Sequence, residues 1–206
     1  MSLILKGGWV MVPILLGSVV ALTLVLERLW FFMRMRFDAE KFSVEIFSLA
    51  LAERTRDAAE ICAQTRHPLG AVLKAGLEHA QGASSEEIVR VMEREGQRQI
   101  QLVEKNLNLL ALVIGVEPLL GFLGTILGLI QAFMAWERYS TSVTVSALAA
   151  GIYQAMITTA AGLIVAIPYY VIYHIFVGKA AATARDLNHY GDELVSVLNK
   201  KKLPKK

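Results

Sequence analysis

Two apolar stretches of this chain carry polar groups where such groups are costly. Glu117 and Thr125 lie in one, and Gln154, Thr158 and Thr159 in the other. A threonine hydroxyl offers one donor and two acceptors, so a cluster of hydroxyls can line water or solvate a carboxylate. It cannot hold a proton at neutral pH. A proton path built on Thr125 and Thr159 therefore needs a carboxylate from elsewhere. Two readings stand side by side. An isolated intramembrane threonine commonly bonds the carbonyl four residues back in its own helix, whereas polar groups inside a membrane also mark ion paths. Gln154 is the third such group, and its amide does not titrate. Glu117 reads either as an interfacial carboxylate, snorkelling or paired near the cytoplasmic face, or as an acid at the inner mouth of an ion path.

Small residues surround these groups at helical spacing. Gly121, Gly124 and Gly128 fall on one stripe of the first stretch, and Gly151, Ala155, Thr158 and Gly162 on one stripe of the second. Such stripes let helices approach closely in lipid, where packing replaces the hydrophobic effect. No other chemistry stands out. There is no hydrolase triad, phosphate loop or carboxylate pair, so no catalytic residue and no cofactor is assigned, and the chain reads as a non-enzyme. The single cysteine, Cys62, allows no intrachain disulfide, and His67, His79, His174 and His189 lack ligand spacing with it or with each other, so no metal site is expected.

The elements that must hold these groups are membrane helices. Of 206 residues 55% are hydrophobic, and the excess falls in three blocks, as in an all-α membrane protein with three spans. Trp9–Leu26 is charge-free and just long enough to cross about 30 Å of hydrocarbon. Its length, the lack of a small-residue cleavage site and the charged, aromatic run that follows argue for a retained helix over a cleaved signal peptide. Residues 27–108 are polar, with apolar positions at helical spacing, breaks at Pro68 and Gly82, and a capping box at Ser84–Glu87. The helix starting there meets no strong stop before Pro118, so one long helix is expected to run from solvent into the membrane. The second span covers 109–136, a short loop 137–142, and the third block 143–177. That third block has no Asp, Glu, Lys or Arg, and at about 1.5 Å per residue it exceeds the hydrocarbon thickness. Part of it is expected to continue beyond the bilayer against other protein, in an oligomer or a helical bundle. Residues 178–206 form a basic tail.

Lysine and arginine concentrate in 27–108 and after Val177, which places both on the cytoplasmic side and residues 1–8 and 137–142 outside. The net charge of +3 then reflects a lipid-facing cytoplasmic end more than nucleic-acid binding.

The stretches Pro118–Phe133 (PLLGFLGTILGLIQAF) and Gly151–Pro168 (GIYQAMITTAAGLIVAIP) resemble the two signature segments of the ExbB/TolQ proteins, distant relatives of MotA, and Leu26–Trp30 (LERLW) resembles the end of their first span. The resemblance covers nearly the whole chain. It implies a homopentamer whose second and third spans surround a pore in the bacterial inner membrane. Inside it stand the single spans of two ExbD/TolR-like subunits, each with a membrane aspartate that takes up and releases the ion. By motif position Thr125 and Thr159 face that aspartate. The implied function is a proton- or sodium-driven stator that powers work at the outer membrane or envelope. Two departures stand out: the family's glutamate is replaced by Gln154, and Glu117 stands where a neutral residue is usual. The alternative is a non-conducting oligomeric scaffold.

Overall fold

A computed structural model of the chain describes residues 6–80, 82–138 and 145–202. Among them are seven helices and no strand: α1 Met11–Arg34, α2 Ala39–Leu51, α3 Thr55–Gln64, α4 Pro68–Glu78, α5 Ser85–Val103, α6 Leu107–Arg138 and α7 Val145–Lys202. Three stretches are long and apolar enough to cross a membrane, and they lie in α1, α6 and α7. The chain is a multi-pass, all-helical membrane protein. Residues 1–5, most of the expected 137–142 loop and the last lysines lie outside the described residues.

The chain divides into two compact units. The first holds residues 1–28 and 106–176. Its core begins with Val10, Met11 and Ile14, which pack against Leu120, Leu127, Ile157, Ala161 and Val165. The inward stripe of the first span continues through Ala21, Val25 and Arg28, all buried, at the three- and four-residue spacing of one helix face. The outward faces are apolar too: Leu119, Phe122 and Ile164 are 62–71% exposed. Helices hydrophobic all round belong in hydrocarbon or against further protein.

The second unit holds residues 29–105 and 177–206. Its core joins Ile46, Leu69, Leu73 and Ile88 to Leu187, Leu194 and Leu198 of α7. The stretch read as a basic tail is thus helical as far as Lys202, and it buries a leucine stripe against α2–α5. Ser84 caps α5 as expected, accepting the Glu87 N–H at 3.2 Å. Pro68 occupies the first turn of α4, and His67 caps it, its Nδ1 accepting the Leu69 N–H.

One expectation is corrected. The helix that starts at Ser85 does not run unbroken into the second span; it stops at Val103, and α6 begins at Leu107. Asn106 has φ 65°, a left-handed conformation that asparagine tolerates better than most residues, and its carbonyl accepts the first bond of α6 from Leu110 at 3.0 Å.

Candidate functional site: a threonine pair between two spans

The site is built on the seam between α6 and α7, where the two small-residue stripes interlock. A Cβ added to Gly128 would lie 2.7 Å from the Gly151 carbonyl oxygen and 2.8 Å from the Ala155 nitrogen. One on Gly151 would lie 2.6 Å from the Gly128 oxygen, and one on Gly162 2.6 Å from the Glu117 carbonyl oxygen. Gly121 faces the Thr158 oxygen at 2.9 Å, and Gly124 faces the Thr158 side chain. No larger side chain fits at these backbone contacts, so the glycines bring the two spans together and set the register of what they carry.

That register joins Thr125 to Thr159. Their hydroxyls form a short cross-span hydrogen bond. The Thr125 Oγ1 also lies 3.3 Å from the Gly121 carbonyl oxygen of its own helix and 3.1 Å from the Ala155 carbonyl oxygen across the seam. The Thr159 Oγ1 is 3.1 Å from the Gly121 oxygen. Both threonines are half-buried, so the pair is not sealed inside the seam. Thr158 behaves differently. It is fully buried, and its hydroxyl donates within its own helix, to the oxygens of Gln154 (3.1 Å) and Ala155 (3.0 Å). Thr158 is thus the packing threonine with a local bond, while Thr159 is turned across the seam.

The other two ion-path candidates are not brought to this pair. Gln154 is half-buried and its amide lies against the N-terminal segment: a Cβ on Gly8 would be 2.6 Å from its Nε2. Glu117 is 1% exposed, and its Oε1 lies against Gly17 in the first span. Among the described residues its Oε2 is buried without a hydrogen-bond partner. Sequence reasoning missed the part of the first span in this region. The available signal was Gly17, a glycine in the interior of a span, where it weakens a helix unless something approaches closely. Among the described residues no group of three or more His, Cys, Asp or Glu comes together.

Residues 64–189 match the model of the MotA/TolQ/ExbB proton channel family. The biopolymer transport protein ExbB-like 1 of Synechocystis sp. is 35% identical over 193 residues, 92% of this chain and 75% of that protein. The Tol-Pal system protein TolQ of Haemophilus influenzae is 33% identical over 112 residues, 54% of this chain and 49% of that one. The biopolymer transport protein ExbB of Salmonella typhimurium is 32% identical over 121 residues, 54% of this chain and 48% of that one.

Proposed function

This chain belongs to the MotA/TolQ/ExbB proton channel family, and we propose that it is the channel-forming subunit of an ion-driven motor in the bacterial inner membrane. It works as a homopentamer around two single-span partners of the ExbD/TolR kind, each bringing a membrane aspartate. Its N-terminus faces the periplasm and its C-terminus the cytoplasm, in keeping with the distribution of Lys and Arg. It performs no catalysis of its own. One charge crossing 100 mV releases about 2.3 kcal/mol, so a few ions per cycle supply a mechanical step at the envelope.

The observation that carries this reading is the half-buried pair Thr125–Thr159. A titrating carboxylate in a membrane needs donors that can reorient as its charge comes and goes. Two hydroxyls satisfied by each other and by the Gly121 and Ala155 carbonyls can turn a proton outward without leaving a buried donor unpaired. The pair supplies no titrating group, which is why a partner acid is part of the proposal.

The test is ion flux of the chain co-expressed with its single-span partner. Thr125→Val/Thr159→Val keeps the shape and removes both hydroxyls, so flux is lost while the assembly forms. Thr158→Val, on the packed stripe, lowers the amount of assembly instead. Full flux in the double variant would take the two hydroxyls off the ion path, whereas no flux in the wild type would move the assignment to a non-conducting scaffold, the reading that the untitratable Gln154 favours.

A further inference from the structure

Glu117 is the one acid of the α6 interior, and the threonine pair makes no use of it. Its carboxyl is almost completely buried, one oxygen has no hydrogen-bond partner, and the other lies against Gly17. Gly17 is the ninth of the 18 charge-free residues Trp9–Leu26, so the contact falls halfway along the first span. From there a glutamate side chain is too short to reach either interface.

Among the described residues no ion pair compensates it. On the first span the nearest ionisable residues to Gly17 are Glu27 and Arg28 toward one end and Lys6 toward the other, ten or eleven residues away, about 15 Å or more along a helix. On α7 there is no Asp, Glu, Lys or Arg from Val145 to Gly178. That helix meets Glu117 through Gly162, and its Tyr169 hydroxyl is turned to the Ser18 carbonyl at 3.5 Å. His174 lies five residues further on. On α6 itself the next ionisable groups are Glu137 and Arg138 at its far end, and Lys105 precedes the helix by two residues.

We propose that Glu117 is a proton-binding site in the middle of the membrane, contributed by this chain alone and distinct from the Thr125–Thr159 pair. An ionised carboxylate at that depth, with neither a cation nor a full set of donors, is strongly disfavoured, and taking up a proton removes the charge. Gly17 is what makes room for the acid, because a methyl group there would occupy the place of its Oε1. The proposal rests on the membrane spans and not on ion conduction.

The experiment uses the full chain in lipid nanodiscs at neutral pH, without partner and without flux. An infrared difference spectrum, wild type minus Glu117→Gln, is expected to show the C=O stretch of a protonated carboxylic acid. Dicyclohexylcarbodiimide gives a second readout. The acid oxygen bonds to the carbodiimide carbon and the acid proton moves to nitrogen, with no leaving group. Peptide mass spectrometry is expected to find the adduct on Glu117, lost in Glu117→Gln and in Gly17→Ala. Only carboxylate bands in the difference spectrum at neutral pH would overturn the proposal. A failed channel assignment would leave it standing, since no step of the measurement involves transport.

Discussion

Replacing Gly128 with alanine puts a single methyl group into the seam on which the threonine pair depends. Its Cβ would sit 2.7 Å from the Gly151 oxygen, 2.8 Å from the Ala155 nitrogen and 3.1 Å from the Ala155 Cα. Ordinary contact starts near 3.4 Å, so the helices must part by about 3.4 − 2.7 = 0.7 Å at that point. The obstacles are backbone atoms, which cannot rotate aside, so the penalty belongs near the upper end of the usual overpacking range, about 3 kcal/mol. Alanine's better helix propensity returns up to about 1 kcal/mol, leaving about 2 kcal/mol of destabilisation. Gly151→Ala strikes the same place, 2.6 Å from the Gly128 oxygen. One parting relieves both methyl groups, so the double variant loses less than the sum of the singles, by about 1 kcal/mol. Gly178→Ala, with nothing within 4 Å of its Cβ, is the control and is stabilised by a few tenths up to about 1 kcal/mol. Unfolding in mixed detergent micelles, followed by tryptophan fluorescence, measures all four. Wild-type stability in Gly128→Ala, or additive losses in the double variant, would refute the geometry of the seam.

Two further outcomes are expected. His67 is buried, which holds its imidazole below the ordinary 6.5, against an opposing pull from Asp186. The unfolded chain therefore binds the proton more readily, and the stability contributed by the neutral ring is complete above pH 6.5 and is lost as pH falls below it. Protonation also removes the Nδ1 lone pair that caps α4. His67→Asn, which still caps, flattens this dependence in acid unfolding curves, and an unchanged slope would contradict the assignment. For topology, Ser140→Cys is labelled by an impermeant maleimide from the periplasmic side and a reporter after Lys206 is cytoplasmic. Cys62 stays silent, because it is 1% exposed and burial pushes its thiol up to about 12. Labelling of Ser140→Cys from the inside alone would reverse the topology.

The three spans are legible because hydrocarbon thickness demands long charge-free runs and few other structures use them. The α5 start is legible because the Ser84 hydroxyl satisfies the Glu87 N–H by a purely local bond. Thr125 and Thr159 were singled out by their chemistry, but their pairing depended on a resemblance. Residue type does not tell Thr159 from Thr158, whereas helical spacing sets Thr158 on the small-residue stripe, and the register of the seam turns Thr159 across it. The break before α6 left only a faint trace in Asn106, a weaker helix former that suits the left-handed turn it adopts, and a single asparagine in a long helical pattern does not mark a stop by itself. The contact of Glu117 with the first span was missed for a related reason. Which helix a side chain meets is decided by long-range packing, and an apolar span with a single glycine shows no periodicity that names its neighbour. In residues 178–202, charges hide a stripe spaced for burial at Leu187, Leu194 and Leu198.

The threonine pair has more acceptors in reach than protons to give. Each hydroxyl carries one proton, and with the mutual bond in place Thr125 can donate to Thr159 while Thr159 donates to Gly121, or receive from Thr159 while donating to Gly121 or Ala155. These 1 + 2 = 3 arrangements share one set of heavy-atom positions and differ only in hydroxyl rotation. The site is therefore degenerate in its hydrogens while rigid in its frame. A charge arriving beside it selects among these rotamers on the picosecond-to-nanosecond scale of small side-chain motions, long before any helix has to move.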